Sequence, residues 1–291
     1  MSDMPSVSCV IFLFNEENYI EEAITSVLNQ SHNITEIIVS DDFSTDRTPE
    51  IVKKLADNDK RIKYVLSESK GKFHAYKTGL KNVSSDYFFI MAGDDAVEKD
   101  YAVNGLNYLE SIENDFFYSS YKICDSNLNV TEVFRGPKEE FTTWDLLYRN
   151  WVGGFLFAKA SLIVEILKID DERITFEDWV GSIIFSKSFE KVYFYREPGY
   201  LYRRHQNATT IRLNRKKLRA RDIKLYTYLL DSPLVSFSSK ESRLISERLF
   251  FNQLMIGEKS GLSATIKLFL SPSFRNVERV KILLNKLGVK E

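Results

Sequence analysis

The sequence predicts an α/β fold, a mostly parallel sheet flanked by helices, followed by a helical C-terminal appendage. Three observations carry this. Over the first hundred residues, short apolar runs alternate with helix-like segments, the pattern of parallel strands joined by covering helices. Two of those runs end in adjacent aspartates: Glu36 to Ser40 leads into Asp41 and Asp42, and Tyr87 to Met91 passes through Ala92 and Gly93 into Asp94 and Asp95. From Arg212 the composition changes to LNRKKLRARDIKLYTYLL, with apolar positions at helical spacing continuing through Leu249 and Leu283.

In chain order, Val7 to Leu13 reads as the first strand. Glu16 to Asn29 follows as a helix, with acids in its first turn and Ile20, Ala23, Ile24, Val27 and Leu28 on one face. After the second strand, Ser44, Thr45, Asp46 and Thr48-Pro49 supply helix-start chemistry for a stripe of Ile51, Val52 and Leu55. Arg61 to Leu66 is the third strand, Gly71 to Val83 a third helix and Tyr87 to Met91 the fourth strand. Tyr101 to Ile112 is helical. Phe116 to Tyr121 and Val130 to Phe134 read as strands around the turn Asp125-Ser126-Asn127. Trp144 to Asn150 reads as a short helix, Gly153 to Phe157 as a strand, Ser161 to Leu167 and Phe176 to Lys187 as helices, and Lys191 to Tyr195 as an edge strand. The domain boundary implied is 1–211 for the sheet-bearing part and 212–291 for the helical extension.

The chain has 291 residues, 44% hydrophobic and 28% charged, which suits a globular protein with a sizeable core rather than a disordered one. Forty basic residues offset 41 acidic ones for a net charge of -1, so no global basic field recruits nucleic acid. Cys9 and Cys124 lie far apart without metal-ligand spacing and read as reduced thiols. MSDMPSVSCVIFLFNEEN carries acid where a signal peptide needs a positive start. No run approaches the roughly 20 apolar residues of a membrane span. The expected location is cytoplasmic.

In open α/β sheets, ligands bind beyond the carboxyl ends of the strands, so both acid pairs are expected to face one crevice. Carboxylates brought together raise one another's pKa unless a cation or hydrogen-bond donors compensate. A divalent metal with a phosphorylated ligand meets that demand. Strand one ends in Phe14-Asn15-Glu16 instead of a glycine-rich turn, so the dinucleotide fingerprint of a hydride-transfer enzyme is missing, as is a phosphate-cradling P-loop. The arginine-bearing glycine-rich loop of sugar nucleotidyltransferases is also missing.

These residues resemble the family 2 glycosyltransferases, nucleotide-diphospho-sugar transferases of the GT-A fold, over residues 6 to 210. VSCVIFLFNE resembles the family's opening strand, and SVLNQSHNITEIIVSDDFSTDRT its second motif in order and spacing. Gly93 to Asp95 sits where the family has its Asp-x-Asp-type metal motif. GGFLFAKASL, FEDWV and YRRHQN resemble its acceptor-side segment, its acid pair and a later motif. The resemblance implies that Phe14 stacks near a nucleobase, that Asp42 accepts from the imide or ribose, and that Glu16 and Asp94 border the donor, Asp94 by the ribose. It implies that Asp95 ligates Mn or Mg with His205 as a further ligand, and that Arg203 and Arg204 meet the diphosphate; Lys72, His74 and Lys77 are secondary candidates. Ala92 stands where many members have another Asp, and Phe14 where many have Tyr.

Asp178, with Glu177 as its alternative, is the expected general base, since direct displacement at the anomeric carbon needs a carboxylate to take the acceptor proton. Adjacent helix residues point about 100° apart, so the two cannot face the reacting atoms equally. The expected activity is inverting transfer of a sugar from a nucleoside-diphosphate sugar, UDP by family habit, to a hydroxyl of a glycan, lipid-linked glycan or glycoprotein in bacterial surface polysaccharide or glycoprotein assembly. The alternative is a noncatalytic sugar-nucleotide-binding scaffold. The basic run Arg215, Lys216, Lys217, Arg219, Arg221 and Lys224 reads as a solvated helix face, a docking face for an anionic membrane, or part of a homo-oligomer contact. Trp144 and Trp151 read as core residues rather than sugar-stacking ones.

Overall fold

Four fully parallel strands, Val7–Leu13 (β1), Ile34–Asp41 (β2), Ile62–Leu66 (β3) and Tyr87–Ala92 (β4), lie in the order β3-β2-β1-β4. The computed structural model describes residues 5–152, 155–169, 171, 177–206 and 215–256. β1 is paired on both edges and covered on both faces, which is why its run is apolar without alternation. Val10 joins Ile38, Phe88 and Ile90 under one helical layer, while Cys9 and Ile11 join Ile37, Val39, Phe89 and Met91 under the other.

The second layer contains Ile20–Leu28 (α1), Thr48–Asn58 (α2) and Tyr101–Ile112 (α4); the first contains Lys72–Lys81 (α3) through Phe73, Tyr76 and Leu80. The sheet continues through Ala96–Val97 (β5), Phe116–Cys124 (β6), Val130–Phe134 (β7), Glu140–Phe141 (β8), Leu156–Lys159 (β9) and Val192–Arg203 (β10). Its order is β3-β2-β1-β4-β9-β6-β10-β5, with β7 on β6 and β8 on β10. Strand β9 is antiparallel to both β4 and β6, and β6 is parallel to β10. Six long strands therefore end at one rim, and this brings the chain after β10 beside the loops after β1, β2 and β4.

β5 and β8 were not expected, β6 runs on to Cys124 rather than ending at Tyr121, and three further expected elements are placed differently. α1 begins at Ile20 rather than Glu16, because Asn15 takes a left-handed φ of 57° and the Glu16 carbonyl accepts from the amides of Tyr19 and Ile20. β10 is no short edge strand: it runs twelve residues between β6 and β5, with a register shift between Tyr195 and Tyr200. The strand expected from Gly153 is seen as β9 from Leu156; residues 153 and 154 lie outside the described residues.

Thr143–Tyr148 (α5), a 3-10 turn at Ala160–Leu162, Ile163–Leu167 (α6) and Glu177–Ser188 (α7) complete the sheet-bearing part. Arg215–Asp231 (α8) and Ser239–Ile256 (α9) pack onto it. Leu225, Tyr226, Tyr228 and Leu229 of α8, with Leu244 and Ile245 of α9, belong to the same buried cluster as Val10 and Trp179. The Tyr226 hydroxyl donates to the Leu147 carbonyl at 3.1 Å. Most of the apolar side chains that a membrane-docking face would need are thus buried within the chain. Leu283 and the rest of the expected helical tail lie outside the described residues. No helix among the described residues is long and apolar enough to cross a membrane. Trp144 is not core: it is 36% exposed, with the Lys240 ammonium 4.8 Å from its ring centroid.

Candidate active site

The loops after β1 and β2 are locked together. Asn15 and Phe43 both hold left-handed backbone, at φ 57° and 59°, a conformation that persists only where the surroundings fix it. The Asn15 amide donates to Ser44 Oγ at 2.8 Å, Asn15 Oδ1 accepts from the Thr45 amide at 2.7 Å, and the Glu16 amide donates to Thr48 Oγ1 at 2.8 Å. Phe14, just before Asn15, is 52% exposed at the rim.

Each acid pair splits into an inward and an outward member: at the end of β2 by the alternation of a strand, and after β4 by the turn that begins at Gly93. Asp41 is buried; it accepts from the Tyr64 hydroxyl at 2.6 Å and the Ser44 amide at 2.8 Å. Asp42 reaches across the rim and accepts from the Gly71 amide at 2.5 Å. Burial and the neighbouring Asp41 raise its pKa, against the pull of Gly71, His74 and Lys70. Asp42 is thereby tethered to the start of α3, where Gly71 holds φ 122° and Lys72 lies 5.0 Å from the Phe12 ring centroid.

In the second pair the inward member is Asp95, 1% exposed. Its carboxylate accepts from the Tyr200 hydroxyl and the Arg203 amide, each at 2.8 Å. Burial above all, then the charge of Asp94, pushes its pKa well up. The outward member is Asp94, whose Oδ2 lies 3.0 Å from His205 Nε2. Glu16 completes the group: one ligand atom from each of Glu16, Asp94 and His205 lies within 4.8 Å of the others. Gly93 makes this possible, since a Cβ there would meet Leu13 Cβ at 2.6 Å and Glu16 Cγ at 3.3 Å. Two carboxylates and an imidazole form a donor set suited to a divalent cation such as Mn.

The residues expected to meet the diphosphate are placed differently from one another. Arg204 is exposed. Arg203 is 1% exposed; its Nε donates to the Asp94 carbonyl at 2.6 Å, Nη1 to the Ser126 carbonyl and Nη2 to Glu22 at 2.6 Å. Tyr19 lies between Arg203 and His205, with ring centroid distances of 4.6 Å to each. Glu177 and Asp178 open α7, and their side chains lie outside the described residues. Sequence reasoning missed Tyr19, Glu22 and Tyr200. Only Tyr200 carried a signal, lying three residues before the basic pair, whereas Glu22 reaches Arg203 across 181 residues.

This rim gathers acids and aromatics at the carboxyl ends of a mostly parallel sheet, the place where open α/β folds bind their ligands. Residues 8–163 match the family model of glycosyl transferase family 2, and the chain belongs to that family. Glycosyltransferase GlyA of Streptococcus pneumoniae serotype 4 is 24% identical over 310 residues, covering 98% of this chain and 42% of GlyA. An uncharacterized glycosyltransferase of Haemophilus influenzae is 29% identical over 164 residues, covering 56% of this chain and 63% of its own. The chain thus spans less than two thirds of either relative. The crystal structure of S. aureus TarS 1-349 in complex with UDP superposes with a TM-score of 0.64 at 16% identity, covering 98% of this chain and 88% of that one. That likeness shows the GT-A fold.

Proposed function

We propose that the protein is a metal-dependent, inverting glycosyltransferase that uses a nucleoside-diphosphate sugar, with UDP as the nucleotide. The acceptor is a hydroxyl of a glycan, lipid-linked glycan or glycoprotein in bacterial surface polysaccharide or glycoprotein assembly. The observation that carries this is the Glu16, Asp94 and His205 cluster at the rim that also presents Phe14 and Asp42. TarS has been crystallised with UDP and with UDP-GlcNAc, which favours a uridine nucleotide on the shared fold.

In this reading Asp94 and His205, with Glu16 beside them, hold the cation; Asp95 is turned away and supports the turn. A bound divalent ion neutralises charge on the departing nucleoside diphosphate. Phe14 offers an exposed ring for base stacking, and Asp42 accepts from the nucleobase or ribose. The exposed Arg204 is the better placed of the two arginines to meet phosphate oxygens. Asp178, or Glu177, takes the proton of the acceptor hydroxyl as it attacks the anomeric carbon. A single displacement inverts that centre.

Calorimetric titration of UDP, GDP and dTDP with and without Mn, on wild type and Asp94→Asn, tests the assignment. Tighter UDP binding with Mn, lost in Asp94→Asn, is the expected result. UDP binding that is indifferent to both Mn and Asp94 would overturn the metal site. Absence of nucleotide binding would overturn the donor reading.

A further inference from the structure

We propose that Arg203 is a positioning residue that fixes the Asp94–His205 pair, and that it does not contact the diphosphate. The inference rests on the metal-site reading above. Arg203 lies two residues before His205, and its Nε holds the main-chain carbonyl of Asp94 at 2.6 Å. One residue therefore bears on both partners of the 3.0 Å contact: on His205 through the main chain two residues on, and on Asp94 through the side-chain hydrogen bond to its carbonyl. The Arg203 amide also pins Asp95, and the Tyr200 hydroxyl joins Asp95 to the Ala92 amide at 3.1 Å. The turn at residues 92 to 95 is thus tied to β10 through Ala92, Asp94 and Asp95, and to β1 through the Gly93 amide on the Phe12 carbonyl.

The alternative role needs donors aimed at solvent. Each of the three guanidinium nitrogens already donates to a protein acceptor, and these acceptors lie on three separate segments: Asp94, Ser126 and Glu22. The side chain is 1% exposed, while its charge partner Glu22 is 53% exposed. A buried guanidinium is costly unless its charge and N–H groups are met; Glu22 and the face of Tyr19, 4.6 Å away, meet the charge, and the Asp94 and Ser126 carbonyls accept from Nε and Nη1. A phosphate would have to displace that arrangement to reach Arg203. Lysine, a compact charge without the planar fork, cannot span three divergent acceptors.

The test measures Mn(II) affinity of the full chain without nucleotide, by electron paramagnetic resonance of free Mn(II), and UDP affinity at saturating Mn. It compares wild type, Asp94→Asn, Arg203→Lys and Glu22→Ala, with thermal melts for each. Arg203→Lys should weaken Mn(II) binding about tenfold or more, the loss typical when a residue that orients a metal ligand is removed, with UDP affinity at saturating Mn within about threefold of wild type on the same scale. Wild-type Mn(II) affinity with UDP binding weakened about tenfold would overturn the proposal in favour of a diphosphate contact. If Arg203→Lys does not fold, the half-exposed Glu22→Ala decides: weaker Mn(II) binding supports the proposal and unchanged binding overturns it. Wild type that binds no Mn(II) would overturn the metal-site reading itself, an outcome distinct from wild-type binding that Arg203→Lys leaves intact.

Discussion

At the end of β4, Asp94 and Asp95 are consecutive residues in opposite environments. Asp95 accepts two hydrogen bonds in the protein interior, from the Tyr200 hydroxyl and the Arg203 amide. Asp94 holds its carboxylate at His205, within a cluster that includes Glu16. Removing one partner of a buried hydrogen bond leaves the other unsatisfied, at about 1–3 kcal/mol for each stranded group. Asp95→Ala strands two, so urea unfolding at pH 7 should show a loss of about 2–6 kcal/mol on that scale. Asp94→Ala strands only the His205 imidazole and should lose about 1 kcal/mol, the low end of that scale, while abolishing Mn-dependent nucleotide binding. Equal stability losses for the two variants would contradict the division of roles. The acid pairs were legible in the sequence as strand-end signals; which member turns into the interior was not. That depends on the exit angle of each strand, which Gly93 sets at β4 by letting the turn pass Leu13.

The elements that the sequence predicted best are those whose burial is complete. β1, β2 and β4 are short apolar runs because both faces are covered, and their carboxyl ends place the rim. β10 was misread for a physical reason: Glu197-Pro198-Gly199 is turn chemistry, yet pairing with β6 and β5 carries the chain through it as a register shift. Helix positions in the C-terminal part were legible, but what they pack against was not. At the α8–α9 junction burial raises the pKa of Asp222 to about 6, against the pull of Arg219, Arg221 and Arg248. A carboxyl that binds its proton more tightly when folded favours the native state at low pH. That advantage is complete below the unfolded value of 3.8 and is lost as pH rises through about 6. The shift corresponds to at most about 3 kcal/mol. Melting from pH 4 to 7 should show wild type losing stability relative to Asp222→Asn, with most of the change complete by about pH 6.5; parallel curves would show that Asp222 titrates normally.

Across the whole molecule, the C-terminal helices share the core of the sheet-bearing part. Tyr226 is 1% exposed, lies 6.0 Å ring to ring from Trp179, and donates to the Leu147 carbonyl. Lys187 of α7 pairs with Glu241 of α9 at 3.1 Å, and the Arg248 guanidinium lies 4.0 Å from the Tyr148 ring centroid. A boundary drawn at residue 211 from the change in composition therefore separates segments that bury one another. Composition marks the basic outer face of α8, but the apolar residues that dock it are dispersed at helical spacing and do not announce their partner. If this core is shared, the chain unfolds in one cooperative step. Tyr226→Ala should then lower stability by about 3–5 kcal/mol, the cost of emptying a buried aromatic site, with Trp fluorescence and far-UV circular dichroism shifting together. A chain ending at residue 211 should fail to fold, since it exposes the apolar face under α8 and α9. Two separate transitions, with Tyr226→Ala moving only one, would instead make the helices an independent unit and return the boundary to residue 211.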